Sequence, residues 1–305
     1  MSARRCRIAV CFFGITRSLA YTLPSIEKAV LAPAHATGET RLFGHFFRQT
    51  RIESPRTGEA VEVDPDEHRL LPLDAVELEV PGACLETWSF DEIQTYGDFW
   101  SNDFHTVRNL VHQLHSIRRV TLMALNWEPD IVLFVRPDLY YFDSFARPLG
   151  RLARRPAPLC MLPYWHGWGG YNDRFALVRG RSCIRRYGLR AERALAFCRS
   201  GPRYLHPERL LHFAMRGRPV RRVALRAARI RAHGRPDDKE AFDLSTVSHL
   251  HEQVWYSNAP QRVKDGLHKG LNVFQDGVDY ALYGRRAKPL RGFSAERVDH
   301  PPGDG

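Results

Sequence analysis

The tripeptide Arg136-Pro137-Asp138 follows directly on the apolar run Ile131-Val-Leu-Phe-Val135. It sets a guanidinium and a carboxylate side by side where a buried strand ends, because Pro137 has no N–H to give to a sheet ladder. In open α/β sheets ligands bind at the carboxyl ends of strands, so the pair is a candidate ligand grip. An ordinary strand–turn with Asp138 capping the next turn would read the same way. A second stretch is Trp165-His166-Gly-Trp168-Gly169-Gly170-Tyr-Asn172-Asp173-Arg174. Its glycines would let a ligand approach the backbone, and its flat rings suit the apolar faces of a sugar. A glycine-rich hairpin with packed tryptophans would look alike. A third is Gly14-Ile-Thr-Arg17-Ser18, where a glycine turn leads into a helix whose first amides, with Arg17, could hold a phosphate. The pattern is neither Gly-x-Gly-x-x-Gly nor a P-loop, so a tight strand–helix connection is the competing reading.

The elements that must position these groups follow from periodicity. Residues 7–13 read as a first buried strand rather than a signal peptide, since the apolar part spans only Ile8 to Ile15. Ser18 would cap a helix with apolar positions at Leu19, Leu23, Ile26 and Val30. Residues 41–47 form a second strand, residues 48–72 a polar surface excursion, and residues 75–80 an alternating half-exposed strand. Trp88, Phe90, Tyr96, Phe99 and Trp100 suit core packing or an aromatic wall. From Asn102, which with Asp103 could cap its start, a long amphipathic helix runs to Glu128-Pro129 and delivers the chain to residues 131–135. Residues 148–158 read as a basic linker, 159–162 and 175–178 as strands, and 181–216 as broken helices. His206-Pro207-Glu208 starts one of these, with Pro207 in its first turn. Residues 219–232 alternate arginine with apolar residues, as a last strand with one basic face would. The expected fold is α/β, a mostly parallel, Rossmann-like central sheet with helices on both faces. Residues 1–235 would be the catalytic domain, and 236–305 an appendage ending in a disordered Pro-Pro-Gly-Asp-Gly.

Composition narrows the class. With 305 residues, 44% hydrophobic and 26% charged, the chain suits a soluble globular protein. It has no apolar run near the ~20 residues that span a bilayer. Six scattered cysteines without a Cys-x-x-Cys pair suit reduced thiols in the cytoplasm. The net charge of +11 is uneven: residues 181–235 hold sixteen arginines, no lysine and two acids, a local +14 that leaves −3 elsewhere. Such a block suits a diphosphate, an anionic lipid surface at the membrane periphery, or nucleic acid, and equally a solvated arginine-rich surface. No zinc finger or RNA-recognition signature accompanies it, so nucleic acid is disfavoured.

The three stretches recur in this order in a group of bacterial and viral glycosyltransferases with a GT-A-like fold, which the chain resembles. The matching residues are Ile8-Ala-Val-Cys-Phe-Phe-Gly-Ile-Thr-Arg17, Val132-Leu-Phe-Val-Arg-Pro-Asp138-Leu and Trp168-Gly-Gly-Tyr-Asn-Asp-Arg-Phe-Ala176. His206-Pro-Glu-Arg-Leu-Leu211 and Arg229-Ile-Arg-Ala-His-Gly234 are also similar. The resemblance covers roughly residues 5–235. It implies transfer of a sugar from a nucleotide-sugar donor to a glycan or lipid-linked acceptor in surface polysaccharide synthesis. Many such enzymes hold a divalent cation, Mn²⁺ or Mg²⁺, on an Asp-x-Asp pair. Here that place reads Arg136-Pro137-Asp138, with one acid replaced by a cation.

On this reading Gly14, Arg17, Arg136 and Asp138 bind the donor, the two arginines facing its phosphates. Trp165, His166, Trp168, Gly169, Gly170 and Asn172 receive the sugar or acceptor. Asp173 and Glu208 are the candidates for general base, Asp173 favoured because the glycines before it suggest close substrate approach. Any metal would rest on Asp138, with His233 as a further ligand. The competing classes are a non-catalytic nucleotide-sugar or carbohydrate-binding relative and a basic nucleic-acid-binding protein.

Overall fold

A computed structural model describes residues 5–54, 59–200 and 204–236, together with residues 242, 254, 260, 262–267, 269–271 and 273–274. The final Pro-Pro-Gly-Asp-Gly and most of the expected appendage lie outside the described residues. Phe242 lies on the main body, with its ring 5.0 Å from that of Trp165.

The chain begins with β1 (Arg7–Gly14) and enters α1 (Leu19–Ile26), which passes through a π-helical turn (Glu27–Leu31) into α2 (Ala32–Thr37). Then come β2 (Glu39–Phe47), β3 (Arg51–Ser54), β4 (Glu59–Glu62), a 3₁₀ turn (Glu67–Leu70) and β5 (Ala75–Glu79). Two short helices, α3 (Cys84–Thr87) and α4 (Phe90–Gln94), precede the long α5 (His105–Asn126). β6 (Ile131–Val135), β7 (Leu139–Tyr141), α6 (Ala146–Ala153), β8 (Leu159–Pro163) and β9 (Ala176–Arg179) follow. The described chain closes with α7 (Arg181–Gly188), a 3₁₀ turn (Arg190–Arg193), α8 (Ala194–Arg199), α9 (Pro207–Ala214), β10 (Val220–Val223) and β11 (Ala227–Arg229).

Seven strands form one sheet in the order β10-β8-β9-β6-β1-β2-β5, with β6 at its centre. Every pairing is parallel except the two made by β9, which runs against β6 and β8. The expected α/β architecture with a mostly parallel sheet is what forms. Alternation along the central strands shows why both faces must be covered. Ile8, Val10 and Phe12 of β1 join Ile131, Leu133 and Val135 of β6 against α1, α2 and α6. Ala9, Cys11 and Phe13 join Val132 and Phe134 against α5, α7 and α9. Full burial of one such Phe or Leu contributes roughly 1.5–3 kcal/mol, so these two layers dominate the drive to this sheet. Phe90, with the partly buried Trp88, Tyr96 and Trp100, packs a third cluster beside α5, α8 and α9, the core role expected of those rings.

Five local expectations are corrected. The supposed linker at 148–158 contains α6, because Leu149 and Leu152 at helical spacing are buried on the sheet while Pro148 sits in the first turn. Residues 48–72 are not a plain excursion: β3 and β4 pair antiparallel and bring Glu59 into the interior. Residues 219–232 make two strands rather than one, β10 beside β8 and β11 beside β7, since Leu225 turns into the core between them. Ser18 stands at the N-cap of α1, but its side chain does not cap the helix; its hydroxyl donates to the Ile230 carbonyl at 3.0 Å. At the long helix Phe104, not Asn102 or Asp103, stands at the N-cap, while the Asn102 side-chain oxygen still accepts from the Thr106 amide of the first turn.

Candidate functional site

Chain order along one side of the sheet reads β5, β2, β1, then β6: third, second, first and fourth of the main-sheet strands. The order therefore reverses between β1 and β6, which are parallel neighbours. In open α/β sheets ligands bind outside the carboxyl ends of the strands at such a reversal of order. Gly14 and Arg17 follow β1, and Arg136 and Asp138 follow β6, so the two halves of the expected donor grip flank this point.

Gly14 makes its turn at φ +103°, a conformation open to glycine, and its amide donates to Ser116 Oγ at 2.8 Å. Asp138, 1% exposed, is held by three guanidiniums. Arg136 forms a fork on it, Nε to Oδ1 at 2.9 Å and Nη2 to Oδ2 at 3.0 Å. Arg17 Nη2 reaches Oδ2 at 2.9 Å and Arg229 Nε stands 3.7 Å from it. Burial alone would push the Asp138 carboxyl up, but Arg136, Arg17 and Arg229 together hold it well below the ordinary carboxylate range. Glu59, from the β4 hairpin, lies 3.6 Å from Arg17 Nη1 and accepts from Arg231 Nη1 at 3.1 Å and from the Ala232 amide at 3.2 Å.

Cations outnumber anions here. Among the described residues Arg17, Arg136, Arg229 and Arg231, with Arg174 close enough to act on Arg229, meet the carboxylates of Asp138 and Glu59, with Asp173 close enough to act on Arg136. The consequence falls on Arg229. Burial first, then the neighbouring Arg136 and Arg174, push its guanidinium down to about 9 despite Asp138. Burial and like charge are the two forces that favour losing a proton from a cation, and a bound polyanion would relieve the second.

A second set of groups touches the first through Gln113 of α5. Gln113 Oε1 accepts from Arg136 Nη1 at 2.6 Å, and its Nε2 donates to Asp173 Oδ2 at 2.8 Å. Asp173 is thereby tied down, with Arg190 Nη2 3.9 Å from the same oxygen. Glu208, in the first turn of α9, has Oε2 3.2 Å from His206 Nδ1, and His206 stacks on Trp100. Burial raises the Glu208 carboxyl, His206 opposes the rise, and the nearby Asp173 charge adds to it. The structure thus brings Asp173 and Glu208 together, and it is Glu208 that has the environment of a base poised toward neutrality.

The tryptophan–glycine loop is packed more tightly than its composition suggests. Trp165 is buried in the core with Nε1 donating to the Leu225 carbonyl at 2.8 Å, so it is not a sugar platform. Asn172 is buried too; it donates to the Trp165 carbonyl and accepts from the Arg174 amide, locking the loop. Gly170 is small for the protein's own sake, since a Cβ there would meet the Glu208 carbonyl oxygen at 2.0 Å. Trp168 remains exposed, with His166 ring to ring at 5.1 Å, and the chain passes through positive φ at His166, Trp168 and Gly169. Backbone held in that region by non-glycine residues is costly and clusters at binding sites.

Two further expectations are overturned. The amides at the start of α1 are not open to a phosphate, because the Glu67 carboxylate accepts from the Ala20 amide at 3.0 Å. His233 is exposed, accepts from the Arg235 amide, and is not brought together with Asp138 as a pair of ligands. A divalent cation does not fit Asp138 either: both of its oxygens are occupied by guanidiniums, and an ion there would face three positive charges.

Glu59, Arg229, Arg231, Gln113, Arg190 and His206 join the site only through the tertiary fold. The Arg-x-Arg alternation at 229–231 was visible as a basic strand face, but nothing local says that it closes over β6. Glu59 carried no signal in its polar surroundings. No protein-family model matches the chain, and no curated protein matches it.

Proposed function

We propose that the protein is a glycosyltransferase with a GT-A-like fold, binding a nucleotide-sugar donor at the β1–β6 crevice and passing the sugar to a glycan or lipid-linked acceptor. The observation that carries this reading is the excess of guanidinium charge at the point where the strand order reverses. A departing nucleoside diphosphate needs its developing charge met by preorganised cations. Arg17, Arg136 and Arg229, held in place by Asp138 and Glu59, can supply that charge without a metal ion. Glu208, with His206 behind it, is the base that takes the proton from the acceptor hydroxyl, in place of the tethered Asp173. Trp168 offers the ring for the sugar or acceptor.

The reading allows a peripheral membrane contact but narrows its place. The arginine block does not make one face: Arg190 is wholly buried, Arg229 and Arg231 belong to the crevice, and Arg226 pairs with Asp143. Arg185, Arg186, Arg193 and Arg218, with the single acid Glu192, line a cleft of about 350 Å³ whose net positive charge suits an anionic headgroup. Among the described residues no helix is long and apolar enough to cross a membrane.

The test is incubation with UDP-, GDP- and dTDP-sugars and glycan or lipid-linked acceptors, with and without Mn²⁺, followed by nucleotide release. Release that survives a chelator is expected. If no nucleotide or nucleotide-sugar raises the melting temperature and none is released, the donor-site assignment fails. A second reading, a non-catalytic binder, is favoured by the full occupation of Asp138, and binding without turnover would select it.

A further inference from the structure

A cluster on the other side of Ser116 is not used by that reaction. His45 near the end of β2, Glu79 at the end of β5 and His115 in α5 each place a ligand atom within 4.8 Å of the other two. Glu79 Oε1 lies 3.2 Å from His45 Nε2, and Oε2 lies 2.9 Å from His115 Nε2. Ligands sharing one tetrahedral ion at ~2.0–2.1 Å stand about 3.3 Å apart, near the two His–Glu79 distances, which run to different oxygens of the carboxylate.

The hydrogen bonds determine which nitrogen of His45 is free. Ser116 Oγ donates its one proton to the His45 carbonyl at 2.8 Å. It must therefore accept from both the Gly14 amide and His45 Nδ1, the latter at 3.0 Å. With Nδ1 carrying the proton, the neutral ring turns the Nε2 lone pair toward Glu79. His45 is 0% exposed, and its Nε2 faces Glu79 Oε1 at 3.2 Å. A lone pair facing a carboxylate is repulsive unless a cation lies between them.

We propose that His45, Glu79 and His115 bind one divalent transition-metal ion of the zinc class, joining β2, β5 and α5. Two imidazoles and one carboxylate suit zinc, whereas Mg²⁺ prefers oxygen throughout. His45 has the outer hydrogen bond such a ligand needs, to Ser116. His115 does not: Trp88 Nε1 donates to its Nδ1 at 3.1 Å, which places the ring proton on Nε2. Metal binding shifts that proton to Nδ1 and turns the Trp88 N–H away. Arg119, 3.5 Å from Glu79 Oε1, competes weakly because its closer partner is Glu77 at 2.7 Å. Three protein ligands leave a fourth position for water. The ion would stiffen α5 two residues beyond Gln113, the side chain that joins Arg136 to Asp173.

The experiment is calorimetric titration of the chelator-stripped full chain with ZnCl₂ and, separately, MgCl₂. One zinc per chain is expected, bound far more tightly than magnesium, with Co²⁺ giving the absorption of a tetrahedral site. Glu79→Gln and His115→Gln, with circular dichroism showing the fold retained, should each weaken zinc about tenfold or more. Trp88→Phe should tighten it several-fold by removing the competing N–H. Absence of stoichiometric zinc, affinity unchanged by Glu79→Gln, or no gain with Trp88→Phe would each overturn the assignment. None of these readouts depends on sugar transfer, so the donor site can fail independently.

Discussion

Arg136 grips Asp138 through two parallel hydrogen bonds, Nε to Oδ1 at 2.9 Å and Nη2 to Oδ2 at 3.0 Å, although only Pro137 separates them in the chain. The fork makes the carboxylate a fixed anchor for the arginines around it rather than an open ligand. Arg17 arrives from the other side of the crevice and Arg229 from β11, so three distant segments converge on one side chain.

Asp138 should therefore matter for stability as well as for donor binding. Asp138→Ala leaves buried guanidiniums uncompensated and is expected to destabilise by about 3–5 kcal/mol in urea unfolding. The pH dependence has a definite sign. Asp138 is held below its unfolded value, so its contribution is fully present above the usual Asp pKa of about 3.9 and declines as pH falls below it. Unfolding curves at pH 3 and pH 6 that coincide for wild type and Asp138→Asn would contradict this.

Arg229 should behave in the opposite way. Burial and its cationic neighbours disfavour its charge, so Arg229→Gln is expected to leave the melting temperature unchanged or raised. Loss of one charged phosphate contact, worth roughly 1.5–3 kcal/mol, should weaken donor affinity about tenfold or more. Fluorimetric melting with and without UDP-sugar reads both effects, and unchanged affinity would take Arg229 out of the donor site.

Glu208 should set the acid limb of the pH–rate profile. In the proposed reaction its ionised form acts as the base, and burial raises its carboxyl, so turnover should rise with pH at values above those of an ordinary glutamate. Glu208→Gln should lower kcat about 10²–10⁴-fold and abolish that limb while leaving donor affinity near wild type. The same loss from Asp173→Asn with Glu208 dispensable would return the base role to Asp173.

The two tryptophans of the loop should separate cleanly. Trp165→Ala empties a core position and is expected to cost about 3–5 kcal/mol of stability. Trp168→Ala, at an exposed ring, should change stability by less than about 0.5 kcal/mol and raise the acceptor KM. Equal unfolding midpoints for the two variants would contradict the placement of Trp165.

The sequence by itself determined the framework. Residues 8–13 and 131–135 are apolar throughout, as strands covered on both faces require, and Gly14 marks the turn that needs positive φ. The carboxyl ends of those two strands were thereby legible as the place to look. Tertiary structure alone decided which charges gather there. Glu59 meets Arg231 across 172 residues, and His45, Glu79 and His115 meet from two strands and a helix. Trp165 and Trp168 share a residue type and a loop, yet one is core and one surface. Strand burial is written in each segment's own side chains, whereas charge compensation and ring exposure depend on neighbours that only packing supplies.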